Sequence, residues 1–123
     1  KGFVDHSDSH GASGRYGNGD VQWMTAGSGL QHAEMFPLLH KDQPNPAELF
    51  QVWLNLPSSR KFTDPVYKML WAEEIPVTTE EDPSGKQVEV RIIAGNLGST
   101  RALDPAPGSW AADSASARES PSS

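Results

Sequence analysis

Gly19-Asp20-Val21-Gln22-Trp23-Met24-Thr25-Ala26-Gly27-Ser28-Gly29-Leu30-Gln31-His32-Ala33-Glu34-Met35 reads as a strand, a glycine-rich turn and a second strand. Val21, Trp23 and Thr25 alternate with Asp20, Gln22 and Met24, which predicts one buried face and one partly wet face. On the second strand, Leu30 to Phe36, residues two apart point the same way. His32 and Glu34 therefore share a face with Phe36, opposite Ala33 and Met35. An imidazole beside a carboxylate is an N and O donor pair suited to Zn, Mn, Ni or non-haem Fe. Alone, the His-x-Glu spacing is common by chance, and its setting has to carry the argument.

Outward from this stretch, the composition favours short strands. Only 36% of the 123 residues are hydrophobic, whereas 11 are Gly and 10 are Pro, so all-β is the expected class. Ten basic residues against sixteen acidic ones give a formal charge of −6 with no Lys/Arg run, a balance that disfavours direct binding to nucleic acid or to an anionic membrane. The chain has no cysteine, which excludes disulfides, thiolate metal sites and cysteine nucleophiles. No apolar run approaches the roughly 18 residues of a membrane span. The expected partners accordingly include no nucleic acid and no membrane, and the expected location is cytoplasmic, nuclear as well in a eukaryote.

Before the opening stretch, Phe3 and Val4 lead into Asp5-His6-Ser7-Asp8-Ser9-His10-Gly11-Ala12-Ser13-Gly14, whose loop formers predict a surface loop with His6 and His10 solvated. Gly17-Asn18-Gly19 is a turn signal. Beyond the opening stretch, Leu38 to Pro46 reads as a polar loop that leaves His40 exposed. Ala47 to Leu56 then has the clearest alternation in the chain, with Phe50, Val52, Leu54 and Leu56 expected in a core and Trp53 on the opposite face. Phe62 to Ile75 reads as extended, and a hairpin is expected from Ile75 to Ala94 around Asp82-Pro83-Ser84-Gly85. In it Val88, Val90 and Ile92 face inward. After Gly98 the periodicity is lost, and residues 114–123 are expected to be disordered.

Taken together, the Gly19 to Met35 block, Phe50-Gln51-Val52-Trp53-Leu54-Asn55-Leu56-Pro57, Asp8-Ser9, Ala72-Glu73-Glu74-Ile75-Pro76 and Arg91-Ile92-Ile93-Ala94-Gly95 resemble the signature blocks of the pirin family, in order, over residues 2 to 112. The resemblance implies the cupin fold, a double-stranded β-helix or jelly-roll-like barrel, here as a partial bicupin. Residues 1–70 would be the C-terminal part of the N-terminal cupin domain, 71–112 the start of the second, and 113–123 a disordered tail. It also implies a metal held by three histidines and one glutamate. His32 and Glu34 match two of these ligands, and the other two belong to a His-x-His strand expected before Lys1, so the chain is expected to be incomplete. The implied cofactor is Fe(II) or another divalent transition metal, weakly held by the pair present here.

The implied activity is quercetin 2,3-dioxygenase-type oxidation of a flavonol, a small aromatic substrate. Glu34 would be the base that accepts the flavonol proton, with Met24, Trp53 and Phe36 as candidate pocket residues. Two alternatives stand beside it. One is a non-catalytic, iron-dependent regulator that binds protein partners, and the other is an inactive truncated remnant. Missing strands would also favour self-association by edge pairing.

Overall fold

The computed structural model describes residues 1–104. These are strands and connections with one short 3₁₀ turn, Ser58–Arg60, and they divide into two compact units, Lys1–Ala72 and Glu73 onward. The all-β expectation holds. The expected second domain reaches residues 105–112, which lie outside the described residues together with the expected tail, 113–123.

In the first unit, β1 (Phe3–Asp8) is paired on both sides, by β2 (Ser13–Gly17) and by β4 (His32–Met35), in a three-stranded antiparallel sheet. This corrects the reading of 5–14 as a loop. Polar, loop-forming residues continue the strand as far as Asp8 because alternation persists beneath them, with Val4 and His6 buried and Ser7 exposed. Asp5 stands directly opposite Arg15 and takes a two-pronged ion pair from it, at 2.6 and 2.8 Å. That guanidinium holds the Asp5 carboxyl below the usual carboxylate range, against the opposing effect of its partial burial. The expected surface loop shrinks to the turn at Ser9–Ala12, where His10 is exposed as anticipated.

The chain leaves this sheet through Gly17-Asn18-Gly19-Asp20, where Asn18 (φ 52°) and Gly19 (φ 99°) both take the positive dihedrals that a primed turn needs. A second sheet follows, β3 (Val21–Thr25) against β5 (Val66–Leu70), antiparallel with Val21 opposite Leu70 and Met24 opposite Tyr67. Asp20 braces one end of that pair, where β3 begins and β5 stops. One oxygen accepts the N–H of Gly17 at 3.0 Å and the other the N–H of Ala72 at 2.9 Å. The glycine turn after β3 has a specific requirement. The Ser28 N–H donates to the Thr63 carbonyl at 2.8 Å, which draws Gly27 (φ 52°) so close to the same carbonyl that a Cβ would collide with it.

The stretch 47–56 departs most from expectation. It forms no strand, and Phe50, Val52 and Trp53 are 91%, 79% and 86% exposed. Among the described residues no strand offers it a ladder, and prolines at 44, 46 and 57 flank it. Glu48 exchanges backbone hydrogen bonds with Lys1, at 3.0 and 3.1 Å, but alternation without a strand partner leaves the apolar face unburied.

The second unit contains the expected hairpin, β6 (Val77–Glu81) and β7 (Gln87–Arg91). Its turn closes on Asp82, whose Oδ1 accepts from Ser84 N–H, Ser84 O–H and Lys86 N–H. Ile75, Ile92 and Ala102 are buried, but Val88 is exposed, which corrects its inward assignment. Beyond it, where periodicity was lost, a minimal hairpin pairs β8 (Asn96–Leu97) with β9 (Thr100–Arg101).

Candidate metal centre

In the first unit the buried residues are Val4, Leu70, His6 and Thr25. Two of the four are polar, an unusual share for an interior, and the antiparallel register explains one of them. Across β1 and β4, His6 lies opposite Glu34 and Asp8 opposite His32. With side chains alternating, all four project from the same face of the sheet. On the other side of β1, Tyr16 (opposite Val4) and Gly14 (opposite His6) belong to this face as well.

The sheet thereby brings His6, His32 and Glu34 together, each with one donor atom within 4.8 Å of the others. His6 is buried, Glu34 half-buried and His32 exposed, so the group is closed at its floor and open at one rim. The His6 ring is fixed from two directions. It stacks on Tyr67 with centroids 4.8 Å apart and planes 14° from parallel, and its Nε2 hydrogen-bonds to Asp8 Oδ2 at 3.2 Å. The His32 ring stands 5.4 Å from it, centroid to centroid. Gly14 makes the stacking possible, because a Cβ there would sit 3.1 Å from the Tyr67 hydroxyl.

Asp8 has a side chain with no exposure at all. Burial pushes its carboxyl up, but hydrogen bonds from His6 and from the N–H groups of Ala12 and His10, with the attraction of His6, together outweigh this and hold it below the usual range. Tyr16 reaches Glu34 Oε1 with its hydroxyl at 3.4 Å. Burial first, then the negative charge of Glu34 and this hydrogen bond, push the Tyr16 phenol up to about 12, so it remains a protonated donor at neutral pH. Tyr67 is likewise raised by burial and by the charge of Asp8.

His32 and Glu34 were singled out from sequence, and they lie side by side on β4 as their spacing requires. His6, Asp8, Tyr16 and Tyr67 were missed. The reading of His6 as a solvated loop residue is corrected: the residue is 3% exposed and belongs to the group. A signal for it existed in Val4-His6-Asp8, a two-residue alternation that mirrors His32 and Glu34, but Ser and Gly neighbours masked it. Of the candidate pocket residues, Phe36 and Trp53 are exposed and Met24 is half-buried on β3.

The donors fit a divalent ion. Neighbouring ligand atoms at about 2.1 Å from such an ion stand roughly 3–3.5 Å apart, so donor atoms lying within 4.8 Å of one another would have to close by up to about 1.5 Å to hold it together. His6 Nδ1 is buried with no hydrogen-bond partner among the described residues, as are Gln22 Oε1 and Tyr67 O–H. Two imidazoles and a carboxylate also form a donor set favoured by borderline transition metals.

The architecture has solved counterparts. A quercetin 2,3-dioxygenase from Acinetobacter baumannii superposes with a TM-score of 0.63 at 31% identity, over 85% of this chain and 35% of that one. A Geobacillus kaustophilus protein gives 0.61 at 34% identity, over 85% and 38%. The fold and the interior His/Glu group thus define an all-β protein of the cupin type. Residues 1–54 match the pirin family profile. A candidate quercetin 2,3-dioxygenase of Pseudomonas aeruginosa is 45% identical over 80% of this chain and 33% of its own length, and human pirin is 43% identical over 76% and 29%. The chain belongs to the pirin family. It spans about a third of the length of these curated relatives, and relatives of this kind imply a divalent metal site. Among the described residues no helix is long and apolar enough to cross a membrane.

Proposed function

We propose that this chain carries part of the metal centre of a flavonol-oxidising cupin of the quercetin 2,3-dioxygenase type, with His32 and Glu34 as ligands of Fe(II) or a similar divalent ion. The observation that supports it is the gathering of His32, Glu34 and His6 on one interior sheet face, together with relatives named for this activity. In this reading residues 1–70 close an N-terminal cupin domain and residues from 71 begin a second.

When bound, the ion supplies a Lewis-acidic centre that makes a flavonol hydroxyl more acidic. The chain's own residues do the rest. Glu34 accepts the hydroxyl proton on a carboxylate oxygen. Tyr16, kept protonated, donates to Oε1 and orients that carboxylate. The exposed side of the group, at His32, admits the substrate, while the Tyr67 ring packed on His6 keeps water from the floor.

Oxygen uptake by the Fe(II)-loaded chain with quercetin tests this. Turnover should fall by about 10²–10⁴-fold in Glu34→Gln, and unchanged turnover in that variant would refute the base assignment. A second reading, a metal-dependent module that binds protein partners without turnover, draws on the exposed apolar side chains of Phe50, Val52 and Trp53. Partner capture that depends on metal, with no oxygen uptake, would select it; pairing of two copies through the same stretch would appear as a dimer in sedimentation.

A further inference from the structure

We propose that Asn18 is a site of spontaneous covalent modification, at which the turn between β2 and β3 converts to aspartate and isoaspartate through a cyclic imide, and that the change loosens the brace made by Asp20. None of this chemistry draws on the metal centre.

Asn18 and Gly19 are both exposed at the tip of the turn. The turn is held at its ends, where the Asp20 N–H donates to the Gly17 carbonyl and the Gly17 N–H donates to Asp20 Oδ2, each at 3.0 Å. Between those ends, neither the Asn18 side-chain amide nor the Gly19 N–H has a hydrogen-bond partner among the described residues. An electrophilic carbon and a nucleophilic nitrogen thus stand on adjacent residues, both free, and Gly19 has no side chain to shield its nitrogen. Ring closure requires Asn18 to leave its φ of 52° briefly. A loop tip is where such local opening costs least.

The Gly19 nitrogen gives its proton to solvent base and attacks Cγ of Asn18. The N–Cγ bond closes a succinimide, the Cγ–Nδ2 bond breaks, and ammonia leaves. Water then opens the ring. Opening at Cγ gives aspartate, whereas opening at the main-chain carbonyl gives isoaspartate, whose backbone is longer by a methylene. Amide and water become acid and ammonia, with no change of oxidation state.

The other asparagines are placed against this reaction. Asn45 precedes Pro46, whose nitrogen has no proton, and its side chain is tied to His40 and Gln43. Asn55 and Asn96 precede leucines, Asn55 accepts from Lys61 Nζ, and Asn96 lies in β8. Asn18 also has the most to disturb. Asp20, two residues on, joins Gly17 N–H to Ala72 N–H. Either product sets a second carboxylate near that of Asp20, and the longer isoaspartyl backbone moves Gly17 away from it.

The experiment incubates the folded chain, the Asn18→Gln variant and a free peptide of residues 15–22 at mildly alkaline pH. Conversion is read by mass spectrometry of the tryptic peptide Tyr16–Lys41 and by methyl transfer from an isoaspartyl methyltransferase. In the folded chain, residue 18 is expected to gain the amide-to-acid mass at a rate within about tenfold of the free peptide, with Asn55 and Asn96 unchanged. Methyl transfer should vanish in Asn18→Gln, and the aged chain should melt below the fresh one. Slower conversion than that margin would show that the turn protects Asn18 and would overturn the proposal, as would equal conversion at Asn55 or Asn96. An aged, converted chain that melts with the fresh one would refute the loosening at Asp20. Should Asn18→Gln fail to fold, the mass spectrum of the parent chain decides.

Discussion

Two stretches of the first unit carry alternating side chains, and they behave in opposite ways. Phe3–Asp8 is short, polar and rich in turn formers, yet it is the central strand of its sheet, hydrogen-bonded on both sides. Residues 47–56 have the stronger apolar alternation and form no strand, with Phe50 91% exposed. Pattern is a local property of a chain, whereas a ladder needs a second strand in register and a surface to bury against. The polar strand has both, and its His6 and Asp8 are held in place by β4 opposite them.

The sharpest way to break this comparison is to truncate one side chain on each side of it. Leu70, 1% exposed on β5, should lose about 2–5 kcal/mol as Leu70→Ala, whereas Phe50→Ala should stay within about 0.5 kcal/mol in urea denaturation. A comparable loss at Phe50 would mean that 47–56 is packed in solution. A smaller effect is expected where backbone approaches backbone. Gly27→Ala places a Cβ against the Thr63 carbonyl at φ 52°, and should cost about 1–3 kcal/mol by the same measurement.

The smallest effect concerns a hairpin whose pattern and ladder agree. In the second unit, Asp82 is held below its usual carboxyl range by the Ser84 hydroxyl first, then by the Lys86 and Ser84 N–H groups, against a contribution from burial that raises it. Its folded pKa being lowered, its carboxylate stabilises the hairpin above the ordinary value near 3.8 and loses that contribution as pH falls through the lowered one. Ser84→Ala should therefore move the Asp82 carboxyl upward toward 3.8 in a ¹³C NMR titration, and no movement would show that the backbone donors alone set it.

Much of the architecture was legible because it is written in short-range signals. The Asn18-Gly19 turn, the strand at Val21–Thr25, the strand bearing His32 and Glu34, and the hairpin around Asp82 all follow from dihedral preference and two-residue periodicity. His6 was not legible in the same way. Its neighbours Asp5, Ser7, Asp8 and Ser9 have loop propensities, and only pairing with both β2 and β4 overrides them.

By itself, then, the sequence determined the all-β class, the family, and the presence of a His-x-Glu pair on one strand face, since each depends on residues near one another in the chain. Tertiary structure alone decided that His6, twenty-six residues before His32, stands beside it, and that Asp8, Tyr16 and Tyr67 orient the group. It also decided that 47–56 forms no strand. Those outcomes depend on strand register and on which strands find a partner, free-energy contributions that arise only when distant segments meet.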